Sequence, residues 1–109
     1  MRYSEVYDAL KETGLPVTYE FWENGDIPPL PYIVFTYPDN DDFIADNTNY
    51  SEIVTLQVGL YTKRRSVAVE RGVENVLKQY FTPYRKTSDY VSADSLQETL
   101  YTLEVAING

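Results

Sequence analysis

The side chains of this chain that could perform chemistry are carboxylates, lysines and hydroxyls, because its 109 residues include neither His nor Cys. Thiolate nucleophiles, disulfides, Cys/His zinc sites and His-based triads are therefore excluded. The densest carboxylate cluster, Asp39-Asn40-Asp41-Asp42, has the opening spacing of a calcium-binding loop. The sixth position of such a loop is Ile44 rather than Gly, and the twelfth is Tyr50 rather than Glu. A solvated turn or a subunit contact is the favoured interpretation, and no metal site is expected.

The remaining catalytic possibilities have little support in the sequence. Paired carboxylates could hydrolyse a glycoside, but nothing in the chain fixes two of them across a cleft. A serine nucleophile would need lysine as its base. Strongly polar surroundings or exposed helix faces are expected for Lys11, Lys63, Lys78 and Lys86, and such positions activate an amine poorly. The five glycines stand singly, without the spacing of a phosphate-binding loop. We therefore expect no enzymatic activity and no cofactor, with a carboxylate-only hydrolase as an alternative.

Charge is distributed unevenly along this acidic chain, whose net charge is −8. Residues 1–60 carry a net charge of −9, residues 61–86 of +5 and residues 87–109 of −4. An acidic protein lacks the basic face that phosphate backbones require, so specific nucleic-acid binding is not expected. The acidic segment and the basic turn Lys63-Arg64-Arg65 suit a head-to-tail contact between identical subunits, although chance segregation explains the counts equally well.

Tyrosine is the second unusual feature of the composition, with 11 copies. Its ring is apolar and its tip polar, which suits a surface that is wet alone and buried in a complex. Hydrophobic residues make up 43% of the chain, enough for a folded core. No stretch approaches the roughly 20 apolar residues of a membrane helix, and the first residues lack the apolar run of a signal peptide. We expect a single soluble domain over residues 1–109.

Hydrophobic spacing predicts the element order α-β-β-β-α-β-β. The helices are expected to have Ser4 and Ser66 as N-caps and to end before Pro16 and Pro83. The predicted strands cover residues 17–22, 32–37, 54–61, a short stretch near 90–91, and 101–107. The predicted fold is α+β, with two helices on one face of a mostly antiparallel sheet and a polar, aromatic opposite face. Residues 38–50 are expected to form a mobile acidic loop that becomes ordered on a partner.

Several segments in this order resemble the small tail-completion proteins of long-tailed bacteriophages and prophages, also called tail terminator or tail-to-head joining proteins. The resemblance covers Met1 to Ile107, and its most specific parts are Phe43 to Asn47 and Tyr61-Thr62-Lys63. The segments are Pro31-Tyr32-Ile33-Val34-Phe35, Asp42-Phe43-Ile44-Ala45-Asp46-Asn47, Val58-Gly59-Leu60-Tyr61-Thr62-Lys63, Lys86-Thr87-Ser88-Asp89-Tyr90 and Leu100-Tyr101-Thr102-Leu103-Glu104-Val105.

The resemblance implies an α+β subunit that forms a hexameric ring on the end of the tail tube, stops tube growth and docks the head connector. It implies no cofactor. The implied partners are further copies of the chain, the tail tube protein and the head-completion or connector protein, without a membrane. The implied location is the head–tail interface of the virion, reached from the host cytoplasm during assembly. A head-closure or other neck protein, and an unrelated small cytoplasmic protein-binding module, are the alternatives.

The predicted protein interface combines the acidic segment with the basic turn and its neighbouring tyrosine. Its residues are Asp39, Asp41, Asp42, Phe43, Asp46, Tyr50, Tyr61, Lys63, Arg64 and Arg65.

Overall fold

A computed structural model of the chain describes residues 1–38, 52–81 and 83–107. These ranges contain two α-helices, five β-strands and two short 3₁₀ turns. The helices and strands are α1 Tyr3–Lys11, β1 Val17–Tyr19, β2 Tyr32–Thr36, β3 Glu52–Thr62, α2 Val67–Tyr80, β4 Arg85–Val91 and β5 Leu96–Ile107. Apart from Pro38, the predicted mobile loop at 38–50 lies outside the described residues.

The five strands form one sheet in the order β1-β2-β3-β5-β4. Only β1 and β2 pair in parallel; the other three pairs are antiparallel. The longest pair is β3 with β5, whose register runs from Glu52 opposite Ile107 to Thr62 opposite Gln97. The prediction of an α+β fold with two helices and a mostly antiparallel sheet is confirmed.

The hydrophobic core lies on one face of the sheet, because apolar side chains recur at every second position of the long strands. Helices α1 and α2 contribute their own buried residues to the same cluster. Complete burial of one aliphatic side chain stabilises the fold by about 1.5–3 kcal/mol. The main contributors are Val54, Leu56, Val58 and Leu60 of β3, Tyr101, Leu103, Val105 and Ile107 of β5, Val6 and Leu10 of α1, and Val73 and Leu77 of α2.

The other face of the sheet is more polar, and we call it the open face. Its side chains alternate with those of the core and meet across the β3–β5 pair, with Thr55 opposite Glu104, Gln57 opposite Thr102 and Tyr61 opposite Glu98. Thr55, Gln57 and Tyr61 are all half-buried. This face carries the polar and aromatic groups expected of a surface that meets water or another protein.

The two helix starts differ in their capping. Ser66 caps α2 as predicted, since its Oγ accepts a hydrogen bond from the Val69 N–H at 3.4 Å. The prediction of Ser4 as a cap is wrong, because α1 begins at Tyr3 and Ser4 lies inside the first turn. Instead, the Glu5 carboxylate accepts a hydrogen bond from the Arg2 N–H at 2.7 Å and so satisfies a backbone donor at the start of α1.

The largest differences from the predicted strand boundaries are in β1, β4 and β5. β1 ends at Tyr19 rather than at residue 22, because Glu20 has a φ of 67° and the Phe21 N–H donates to the Tyr19 carbonyl at 2.8 Å. This tight turn leaves Phe21 65% exposed. β4 begins at residue 85 and β5 at residue 96, earlier than predicted. The prediction misses these starts because the first residues of both strands are mostly polar and lack hydrophobic alternation.

Candidate functional site

The basic turn is the part of the predicted interface that the structure describes most fully. Lys63, Arg64 and Arg65 are exposed and follow β3 directly. Arg65 is 58% exposed and places its Nε 3.3 Å from Oε2 of Glu70 in α2. Within the described ranges, Lys63 and Arg64 take part in no ion pair. Two of the three cations are therefore available to a partner, while the third also holds the turn against α2.

The acidic segment and the basic turn leave the β2–β3 pair at opposite ends. Tyr32, at the start of β2, lies opposite Tyr61, so the basic turn that follows Thr62 is at this end. Thr36 lies opposite Gln57, so Pro38 leaves β2 at the other end, where β3 also begins. The described residues on either side of the acidic segment, at the end of β2 and the start of β3, thus lie away from the basic turn.

Behind the basic turn, a network of charged side chains joins α2 to β4. Glu70 is the central residue, with a side chain only 5% exposed. Lys86 of β4 places its Nζ 2.7 Å from Oε1 of Glu70 and 2.7 Å from Oε2 of Glu74. The Tyr101 hydroxyl donates to the same Glu74 oxygen at 2.9 Å. Two carboxylates one helical turn apart are thus held by one ammonium group, one guanidinium group and one phenol.

The pKa values in this network follow from burial and from these contacts. Burial alone would raise the pKa of Glu70, but the hydrogen bonds from Lys86 and Arg65 outweigh it and lower this pKa. The same balance, with Lys86 and Tyr101 as donors, lowers the pKa of Glu74. The hydrogen bonds to both carboxylates raise the pKa of Lys86, and burial raises that of Tyr101. All four groups are held in their ordinary protonation states at neutral pH, which suits a structural role rather than proton transfer.

On the open face, Tyr61 packs along its own strand. Its hydroxyl donates to Oε2 of Glu98 at 2.8 Å, and its ring lies so close to Gly59 that a Cβ there would be 3.0 Å from Tyr61 Cε2. The Tyr32 ring is 5.5 Å from the Tyr61 ring, and the Trp22 ring is 5.5 Å from that of Tyr32. Burial, followed by the hydrogen bond to Glu98, raises the pKa of Tyr61. Tyr61 is thus a fixed, neutral group at the basic end of the open face.

An aromatic pocket of about 420 Å³ lies between α1 and strands β1 and β2, near the point where the chain enters the acidic segment. Tyr3 and Tyr37 pack edge to face at 5.0 Å, and burial raises the pKa of Tyr37. Tyr7 and Tyr19 at its rim are 37% and 41% exposed. The complete lining is Tyr3, Ser4, Tyr7, Tyr19, Phe35 and Tyr37.

The predicted interface residues fall into two groups. Tyr61 and the basic turn follow one another at one end of the β2–β3 pair. The six predicted residues of the acidic segment, Asp39, Asp41, Asp42, Phe43, Asp46 and Tyr50, lie outside the described residues.

Sequence reasoning missed the charged network. Glu70 is a charged residue of α2 and is nevertheless 96% buried. Lys86 belongs to a strand that the hydrophobic pattern does not reveal. Lys86 does have the polar surroundings expected of it, and they consist of two carboxylates that hold its ammonium group. The available signal was the spacing of Glu70 and Glu74 beside Val73 and Leu77, which puts both carboxylates near the buried face of the helix.

Other features that would indicate a functional class do not occur in the described part of the chain. Residues 1–38, 52–81 and 83–107 contain no group of three or more acidic side chains placed to hold a metal ion. None of the helices in these ranges has the length and apolar character needed to cross a membrane. Comparison with known proteins shows no matching protein-family model and no matching curated protein. Function is therefore inferred from the surfaces and contacts described above.

Proposed function

We propose that this chain is a structural assembly protein that caps the tail tube of a long-tailed bacteriophage or prophage and joins the tail to the head connector. In this proposal six copies form a ring, and the two helices cover one face of each sheet and leave the open face for neighbouring proteins. The resemblance of the sequence to tail-completion proteins supports this choice, and the α+β class is compatible with it. The proposed place of action is the head–tail joint of the virion, after assembly in the host cytoplasm.

The observation that carries the proposal is that the exposed basic turn lies at one end of the β2–β3 pair, while the chain leaves β2 and enters β3 at the other end. Residues 39–51 contain four Asp and no basic residue, and their described neighbours lie at the end of β2–β3 remote from the basic turn. A ring of identical subunits needs two different, complementary surfaces on each copy, so that one copy binds the next head to tail. The exposed Lys63 and Arg64 supply one surface, and the acidic segment supplies the other.

The charged network supports the same proposal by fixing the basic turn. Arg65 contacts Glu70, which Lys86 ties to β4, so one end of the turn is anchored to both α2 and the sheet. A preorganised turn loses less conformational entropy when it binds a neighbouring copy. The alternative of a hydrolase that uses carboxylates requires an acid with a raised pKa. Glu70 and Glu74 do not meet this requirement, because their pKa values are lowered.

The proposal is tested by adding the purified chain to purified tail tubes of the phage or prophage that encodes it. We expect electron micrographs to show a six-fold ring on one end of each tube, and we expect capped tubes to stop growing when tube protein is added. A phage lacking the gene should produce tubes of uncontrolled length without heads. Tubes of normal length that carry heads would contradict the proposal. Tubes of normal length without heads, with binding to the connector alone, would favour a neck protein.

A further inference from the structure

Strand β4 forms one edge of the sheet, and no strand in the described part of the chain pairs with its outer side. It is seven residues long, so it presents a row of backbone N–H and C=O groups to a further strand. The opposite edge, β1, has only three residues, and its Tyr19 carbonyl already accepts a hydrogen bond from Phe21. Of the two edges, β4 is therefore the one suited to strand addition.

The side chains of β4 on the open face carry both signs of charge. Arg85, Thr87 and Asp89 share this face, and all three are exposed. Among the described residues, neither Arg85 nor Asp89 takes part in an ion pair. Asp89 lies directly opposite Glu98 of β5, an arrangement of like charges that weakens a strand pair. A cation placed on the outer side of Asp89 would offset this repulsion.

We propose that β4 binds β4 of a second copy of this chain in antiparallel orientation, about a two-fold axis through Thr87. In this register Arg85 of each copy lies directly opposite Asp89 of the other, so the symmetry forms the ion pair twice. If the two-fold axis passed one residue to either side of Thr87, Arg85 of one copy would no longer lie opposite Asp89 of the other. The charges therefore select one register among the neighbouring ones, and the result is a continuous sheet across two copies.

The opposite face of β4 does not interfere with this pairing. Lys86 is turned towards α2, where Glu70 and Glu74 hold its ammonium group. In the proposed register it lies opposite Ser88 of the second copy, so no like charges meet there. The two-fold contact joins only two copies and uses a different surface from the head-to-tail contact of a ring. A ring with one face on a tube and the other on a connector has no two-fold axis, so the contact belongs to the free chain and its test does not depend on the proposed function.

A charge exchange tests the pairing on the full-length chain by sedimentation analysis. We expect the unaltered chain to dimerise, and we expect Arg85→Glu or Asp89→Arg to raise the dimer dissociation constant about tenfold, since each variant places like charges opposite each other twice. The combined variant R85E/D89R should return the constant to within about threefold, because the pairs form again with exchanged signs. Arg71→Glu, an exposed charge reversal on α2, is the matched control and should change nothing.

The proposal is overturned if the unaltered chain stays monomeric at millimolar concentration, if the single reversals leave dimerisation unchanged, or if the combined variant is as weak as the single ones. Circular dichroism of each variant identifies any that fails to fold.

A cross-linking experiment tests the register itself. Because the chain has no native Cys, an introduced Cys can form a disulfide only with its copy in the partner. In the proposed register the two Thr87 Cβ atoms are about 4.5–5.5 Å apart, close to the reach of a disulfide. Thr87→Cys should therefore oxidise rapidly to a covalent dimer. Ser92→Cys, exposed just beyond β4, is the control, because its two copies would be roughly 30 Å apart. Equal oxidation rates of the two variants would overturn the proposal.

Discussion

The Tyr101 hydroxyl donates a hydrogen bond to Oε2 of Glu74 at 2.9 Å, which links the centre of β5 to α2. Tyr101 is completely buried, and its ring also packs edge to face on Tyr84 at 5.3 Å. The composition suggests a surface role for the tyrosines, yet Tyr101 packs in the core. A buried phenol needs a hydrogen-bond partner, and the carboxylate supplies a strong acceptor.

Tyr101→Phe removes this hydrogen bond while it keeps the buried ring. We expect it to lower the free energy of unfolding by about 1–2 kcal/mol, because Glu74 loses one of its donors in a half-buried site. Urea denaturation followed by circular dichroism measures the change. Tyr90→Phe is the matched control, since Tyr90 is 59% exposed and its replacement should be neutral. Equal stability of the two variants would show that the bond contributes nothing.

Lys86→Met removes the only ammonium group that contacts both carboxylates of α2 in the described structure. We expect a loss of about 1.5–3 kcal/mol in the free energy of unfolding, since Glu70 is left buried with Arg65 as its remaining cation. The estimate allows for the 30% exposure of the Lys86 side chain. Lys78→Met, which replaces an exposed lysine of α2, should change stability by less than about 0.5 kcal/mol. A loss no greater than this control would contradict the proposed role of Lys86.

The lowered pKa values of Glu70 and Glu74 predict a loss of stability in acid. A carboxylate whose folded-state pKa is depressed stabilises the fold above its ordinary pKa of 4.5, and the contribution disappears as the pH falls through the folded-state value. We expect the unfolding free energy to decrease as the pH drops below about 4.5. Lys86→Met should lose less between pH 5 and pH 3 than the unaltered chain does, because its carboxylates are no longer held ionised. Parallel stability–pH curves for the two proteins would contradict this explanation.

The sequence is informative where burial alternates with a regular period and uninformative where polar contacts decide the structure. The alternation of Val54, Leu56, Val58 and Leu60 predicts β3, because one face of that strand is completely buried. The strand at 85–91 is not predicted in full, since most of its side chains are polar or exposed and pairing with β5 alone makes it a strand. The local charge pattern also hides the Lys86–Glu70 pair, whose members are brought together only by the packing of α2 on the sheet.

Two glycines should respond differently to replacement by Ala. Gly72 lies in α2, and an added Cβ would have no heavy atom within 4 Å apart from its chain neighbours and the adjacent backbone of the helix. Gly72→Ala should therefore raise the unfolding free energy by about 0.5–1 kcal/mol. An added Cβ at Gly59 would be 3.0 Å from Cε2 and 3.1 Å from the hydroxyl oxygen of Tyr61. We expect Gly59→Ala to give no gain, because the Tyr61 ring must give way to the added Cβ. Thermal unfolding of both variants measures the difference, and an equal rise in Tm would contradict it.

Charge reversal in the basic turn should separate binding from folding. Lys63→Glu combined with Arg64→Glu changes two exposed side chains without ion pairs in the described structure, so the unfolding free energy should change by less than about 0.5 kcal/mol. Arg65→Glu should cost about 1–2 kcal/mol, because it puts a carboxylate beside the buried Glu70. If the basic turn binds the next copy, the double variant remains folded but forms no rings on tail tubes in electron micrographs. Normal rings from that variant would show that the ring contact does not depend on this turn.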